Sequence, residues 1–192
     1  MASHWTSETV RSELETVSQC LEGTVTAYLA GGSAMVVQGF KERTPDVDLI
    51  VPSESGLERL QKAVTETGYS QTRRLEDADG TALMCQFQGA NGREIDIFNI
   101  RIGDGLVLSD GIRRRSEPYI DTELADISVI SPEDIYLSKL VHSGRPKDVP
   151  DTTSLSLAEL DFDTIRKELA RQNELADDVL PSLLLFDPID DE

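Results

Sequence analysis

Ala30-Gly31-Gly32-Ser33-Ala34-Met35-Val36-Val37-Gln38-Gly39-Phe40-Lys41-Glu42-Arg43-Thr44-Pro45-Asp46-Val47-Asp48-Leu49-Ile50-Val51 is the stretch on which the reading of this chain turns. A short apolar strand, Val25–Leu29, delivers a Gly-Gly-Ser turn, and a short helical pattern over Ala34–Gly39 follows. The chain then returns as a strand whose first residues carry two acids. Side chains at i and i+2 of a strand point to one face, so the carboxylates of Asp46 and Asp48 converge. Like charges that close repel unless a cation sits between them, and Mg²⁺ favours carboxylate oxygens together with substrate phosphates. Gly31 and Gly32 allow backbone N–H groups to approach an anion closely, and Ser33 adds a hydroxyl at a helix start. Each feature alone has an ordinary structural explanation. Together, in this order, they imply a phosphate cradle beside a metal clamp.

This order resembles the nucleotidyltransferase superfamily related to DNA polymerase beta. Its members carry a Gly-Gly or Gly-Ser turn, a helix, and then Asp-hydrophobic-Asp-hydrophobic on the next strand. The resemblance implies a third carboxylate on a later strand, and Glu94-Ile95-Asp96-Ile97-Phe98 offers Asp96. Alternation there sets Glu94, Asp96 and Phe98 on the face opposite Ile95 and Ile97.

A second cluster, Lys139, Arg145, Lys147, Asp148 and Asp151, lies near the end of a later helical pattern. Its order resembles the abortive-infection and toxin-type nucleotidyltransferases and related minimal versions. That resemblance gives Lys139, Arg145 and Lys147 to the nucleotide; a salt-bridge network pinning the C-terminal helices to the sheet is the other reading of these residues. Arg113–Arg115 reads as a solvated face with one or two salt bridges, His142 as a surface or packing residue. Arg43 and Thr44 are placed near phosphates only by their proximity to the acids in sequence.

Composition narrows the class. The chain of 192 residues carries 36 acids against 18 bases, a formal charge of −18. Periodic apolar runs exclude a disordered acidic polymer, so the excess reads as a solvated, salt-adapted (halophilic) surface. Such a surface disfavours general nucleic-acid binding, but at roughly 1 M salt the Debye length is only about 3 Å, so RNA is not excluded. Cys20 and Cys85 fit no metal spacing and read as packing thiols in a reducing compartment. With no signal peptide and no apolar run long enough to span a bilayer, the expected location is the cytoplasm.

The expected fold is α/β (α+β): a mixed sheet flanked by helices, with a nucleotidyltransferase-like core over 1–130. A C-terminal helical part over 131–187 packs on it, and 188–192 is an acidic tail. Helices are expected over Thr6–Leu21, Ser53–Thr67, from Ser131 to Gly144, and over Asp163–Asp177; strands near Tyr69–Leu75, Ala82–Gln88, Arg93–Ile102 and Ile127–Ile130. The expected activity is metal-dependent transfer of a nucleoside monophosphate from an NTP to an acceptor hydroxyl, with Asp46, Asp48 and Asp96 holding Mg²⁺ or Mn²⁺. Gly31, Gly32, Ser33 and the basic cluster hold the nucleotide. An RNA (such as a tRNA end) or a partner protein is favoured as acceptor over a small molecule. The alternative is a silent nucleotide-binding or toxin–antitoxin-type interaction module on the same fold.

Overall fold

The computed structural model describes residues 4–78, 80, 82–101, 106–141 and 149–172. Its centre is a seven-stranded mixed sheet in the order β3-β4-β5-β2-β1-β7-β6. The strands are β1 (Val25–Ala30), β2 (Asp46–Val51), β3 (Ser70–Glu76), β4 (Ala82–Gln88), β5 (Glu94–Asn99), β6 (Glu117–Asp121) and β7 (Ala125–Val129). The helices are α1 (Ser7–Gln19), α2 (Gly31–Val37), α3 (Glu54–Glu66), α4 (Asp110–Arg115), α5 (Pro132–Val141), α6 (Val149–Ser156) and α7 (Phe162–Arg171). Among the described residues, no helix is long and apolar enough to cross a membrane.

Strand pairing follows from pattern. β2 alternates Val47 and Leu49, both buried, with the half-buried Asp46 and Asp48. On β5, Ile95 and Ile97 are wholly buried. β2 and β5 run parallel, and β1 lies antiparallel on the other side of β2. Helix α3 covers the apolar face across β1, β2, β4 and β5, and α1 packs on α3. Leu57, Leu60, Ala63 and Val64 supply its buried stripe. Removing one such side chain from water contributes about 1.5–3 kcal/mol. At the sheet's far edge β3 is exposed along its whole length.

Local caps set where the helices begin. The Thr6 hydroxyl accepts from the Thr9 N–H in a capping box, and Ser53 and Asp161 cap α3 and α7. Each such cap contributes on the order of 1 kcal/mol. Helix α2 starts three residues earlier than its apolar pattern indicates, because Gly31 itself makes the turn with φ +55°.

Three elements have no counterpart in the sequence reading, α4, β6 and α6. Helix α4 is capped by Ser109, whose hydroxyl accepts from Gly111 and Ile112 N–H. The Arg115 guanidinium spans from α4 to the buried carboxylates of Asp134 on α5 and Glu168 on α7. Arg113 is half-buried and Arg114 exposed, so the arginine run is divided between the interior and the solvent. Expectations for His142, Arg145, Lys147, Asp148, residues 173–187 and the 188–192 tail lie outside the described residues.

Candidate active site

The Gly-Gly turn, the start of β2 and the middle of β5 meet at one point. Ala30 at the end of β1 pairs with Asp48, and Asp48 pairs with Asp96 across the parallel β2/β5 ladder. Directly opposed residues in a sheet project to the same face, so the register itself brings Asp96 to the Asp46/Asp48 pair. One carboxylate oxygen from each of Asp46, Asp48 and Asp96 lies within 4.8 Å of the others. Glu94 opposes Asp46 on the same face. Its carboxylate instead accepts from the Gln88 amide at 3.0 Å, away from the cluster.

Each acid is held in place. Thr44, 1% exposed, donates its hydroxyl to Asp46 Oδ1 at 3.1 Å. Thr44 is fixed in turn by a two-way backbone bridge to Trp5, with N···O distances of 2.7 and 3.0 Å. The Trp5 indole donates to the Glu94 carbonyl at 3.1 Å, and the Arg93 guanidinium lies over its ring at 4.5 Å. This wholly buried tryptophan therefore joins the lead into β2 to the start of β5. Thr44, placed near the acids by sequence, is bonded to one of them.

Ser33 is fully buried; its hydroxyl donates to the Ala30 carbonyl at 2.8 Å and accepts from the Asp48 N–H at 3.1 Å. The Gly32 N–H donates to the Asp48 carboxylate. Burial raises the Asp48 carboxyl well above the usual carboxylate range, and the neighbouring charges of Asp46 and then Asp96 raise it further. The Lys139 ammonium and the Gly32 N–H act in the opposite direction without cancelling the rise. Three acids converging at this distance, one of them strongly disfavoured in its charged form, form an oxygen donor set that fits a hard divalent cation.

The glycines are required by space as well as conformation. A Cβ on Gly31 would meet the Asp48 carboxylate far inside contact distance, with Asp48 Cγ at 2.8 Å. On Gly32 it would overlap the Thr44 hydroxyl. Gly31→Ala is thus expected to displace Asp48 and to incur the left-handed backbone cost of about 1–2 kcal/mol. Circular dichroism melts should show that loss of stability, with nucleotide-dependent activity falling at least about a hundredfold, since small misplacements of reacting groups are costly. A fully active Gly31→Ala protein would remove the turn from the site.

Lys139 Nζ, on α5, lies 2.9 Å from Asp151 Oδ2, and its charge acts on Asp48. Lys41 Nζ reaches the other oxygen of the same carboxylate at 2.7 Å. Sequence reasoning singled out Lys139 and Asp151 but not Lys41. Lys41 belongs to no motif, and its partner is 110 positions away.

The model of the family described as "Nucleotidyltransferase of unknown function (DUF6036)" matches residues 8–183. The lincosamide antibiotic adenylyltransferase LnuA, in its lincomycin-bound crystal structure, superposes with a TM-score of 0.57 at 17% identity. That match covers 81% of this chain and 99% of LnuA. A "putative nucleotidyltransferase" of Thermotoga maritima superposes with a TM-score of 0.50 at 19% identity, covering 76% of this chain and 91% of that one. No curated protein matches the chain. At these identities the structural likeness is one of fold.

Proposed function

This chain belongs to that nucleotidyltransferase family, and from that premise we propose that it transfers a nucleoside monophosphate from an NTP to an acceptor hydroxyl on RNA or a partner protein, using Asp46, Asp48 and Asp96. The observation that carries the reading is the convergence of these three carboxylates beside a turn that tolerates no side chain. Divalent cations, Mg²⁺ or Mn²⁺, held by the three acids would neutralise charge on the phosphates and lower the pKa of the acceptor hydroxyl.

The protein's own residues do the positioning. Thr44 fixes the rotamer of Asp46, Gly32 and Ser33 fix Asp48 against α2, and the β2/β5 register fixes Asp96. Gly31, Gly32 and Ser33 form the turn that takes the triphosphate; the two glycines carry no side chain, and the buried Ser33 hydroxyl braces the turn against β1 and β2. Lys139 stands near Asp48 to offset charge on the departing pyrophosphate, and the resemblance of the 139–151 stretch gives Arg145 and Lys147 to the nucleotide as well. Preorganised charges of this kind contribute because they need no rearrangement as the transition state forms. The assignment of an RNA or protein acceptor rests on the resemblance of the 139–151 stretch to toxin-type nucleotidyltransferases.

The test is incubation with each labelled NTP, Mg²⁺ or Mn²⁺ and total cell RNA at high salt, followed by separation of RNA from protein. Label is expected on RNA or on a protein, with release of pyrophosphate. Asp46→Asn is expected to abolish it; transfer that survives this substitution would refute the site.

A further inference from the structure

From the register of the sheet we propose that the acid-bearing face of β4 and β3 is the acceptor platform. It takes the 3′ end of a single-stranded RNA, with Arg73 on a backbone phosphate and Gln86 on a ribose. This rests on the nucleotidyl-transfer reading and chooses RNA over a protein as the acceptor. Asp48 pairs with Asp96, Asp96 with Gln86, and Gln86 with Arg73. Directly paired residues project to one face, so these four side chains share the face of the acids. Arg74 fixes the sense: it pairs with the buried Cys85, and its guanidinium lies against Glu76 and the Cys85 thiol on the opposite face.

Chemistry decides which end of this row belongs to the acceptor. In transfer, the acceptor oxygen bonds the α-phosphorus as the bond to pyrophosphate breaks, and the hydroxyl proton leaves to solvent. The attacking and leaving oxygens lie roughly in line, on opposite sides of the phosphorus. The Gly31-Gly32 turn follows β1, on one side of Asp48, and Asp96 lies on the other. With the pyrophosphate at the turn, the acceptor approaches from the Asp96 side, over β4 and β3. Adjacent strands lie about 4.8 Å apart, which sets the Gln86 backbone about 5 Å and the Arg73 backbone about 10 Å beyond Asp96.

Two features of this face suit a nucleotide. Among the described residues, neither the Arg73 guanidinium nor the Gln86 amide has a hydrogen-bond or ion-pair partner, whereas Arg74 is paired with Glu76. In a chain of net charge −18, an arginine left without an acid is available to an anion. The Gln86 amide, between Arg73 and the acids, offers both donors and an acceptor to a ribose 2′-hydroxyl. The next row, Phe98–Met84–Leu75, is apolar; Phe98 and Met84 are half-buried and Leu75 is 42% exposed. A polar lane beside an apolar one matches a sugar–phosphate backbone with its base lying alongside. A protein hydroxyl brings no phosphate for Arg73.

Fluorescence anisotropy with a short 5′-labelled single-stranded RNA of mixed sequence, in Mg²⁺ and across a salt series, tests this without turnover. The wild type is expected to bind. Arg73→Gln should weaken binding about tenfold and reduce the slope of log affinity against log salt by about 0.7, the share of one phosphate contact. Arg73→Lys, which keeps the charge, should bind within about threefold of the wild type. DNA of the same sequence should bind more weakly, and Gln86→Met should erase that difference while leaving the salt slope unchanged. Arg73 is exposed at the sheet edge, so Arg73→Gln should melt with the wild type. In the transfer assay it should raise KM for RNA and leave KM for the NTP unchanged, a split that a merely structural role would not give. Equal affinity and slope in wild type and Arg73→Gln, or no RNA binding by the wild type, would overturn the platform. Label carried by a protein instead of RNA would do so too. An RNA–DNA difference that survives Gln86→Met would overturn the assignment of Gln86. Arg73-dependent RNA binding without transfer from any NTP would leave the platform standing while the transfer reading fell. Transfer to RNA with an Arg73-independent KM would do the reverse.

Discussion

Asp48→Asn is expected to lower nucleotidyl transfer by about a thousandfold or more, or roughly 4 kcal/mol of transition-state stabilisation, and at the same time to make the metal-free protein more stable. The two effects share one origin. Three carboxylates whose oxygens approach within 4.8 Å repel, and burial adds to the cost of charging Asp48. The folded-state pKa of Asp48 is raised, so its contribution to stability is fully present below the ordinary carboxyl value and is lost as pH rises through the raised one. Asparagine cannot ionise, yet its carbonyl can still accept the Gly32 N–H.

In EDTA at neutral pH the variant should therefore melt above the wild type, by about 2–4 °C for each kcal/mol of repulsion relieved in a chain of this size. Added Mg²⁺ should raise the wild-type melting temperature and have much less effect on the variant. Scanning calorimetry with and without Mg²⁺ reads both. A variant that melts below the wild type in EDTA would show that the carboxylates are not in mutual conflict.

The largest loss of stability is expected at Glu168, far from any motif. Its carboxylate is fully buried and accepts from Ser109 Oγ at 2.6 Å, Arg115 Nη2 at 2.7 Å and Gln172 Nε2 at 3.1 Å. Burial alone would raise its pKa, but these donors outweigh burial and lower it. At Asp134, which shares the Arg115 guanidinium, burial wins and the pKa is raised. The Asp134 carboxylate accepts from Arg115 and Ser131 and also feels the negative charge of Glu168, while the Glu168 carboxylate accepts from Ser109, Arg115, Arg171 and Gln172.

Removing one member of a buried ion pair costs about 3–5 kcal/mol because its partner stays charged without water. Glu168→Ala should thus lower the melting temperature by on the order of 10 °C. The depressed pKa makes the contribution of Glu168 present at neutral pH and lost as pH falls through its folded-state value, so acid should narrow the gap between variant and wild type. A loss under about 1 kcal/mol would mean that Arg115 finds sufficient compensation at Asp134 alone.

These two sites differ in how far a sequence can disclose them. Asp46 and Asp48 were legible because strand alternation and a glycine turn are local features; Asp96 came from the family resemblance, and it is the β2/β5 register that sets it opposite Asp48. The Arg115–Asp134–Glu168 network was not legible, because its members sit on α4, α5 and α7, with 53 positions between Arg115 and Glu168. Arg113-Arg114-Arg115 looks like one solvated run in sequence, yet packing places Arg115 against two buried acids and leaves Arg114 in solvent. Helix α6 was hidden for a related reason: Val149–Ser156 opens with Pro150 and carries threonines and serines. It is tied to the fold by Asp151, which pairs with Lys41 and with Lys139 on α5, by Ser154 bonded to the Phe40 carbonyl, and by the buried Leu155. Ser33, expected at the nucleotide, has a structural task that its motif did not disclose: its hydroxyl joins the end of β1 to β2.

Trp5 is the only tryptophan in the chain, and it is wholly shielded from water. Its ring nitrogen is bonded to one acid-bearing strand, while its main chain is bonded to the segment that leads into the other. The protein consequently carries a built-in optical reporter at the joint beside its three clustered acids: parting those two strands would wet the indole and shift its emission to the red.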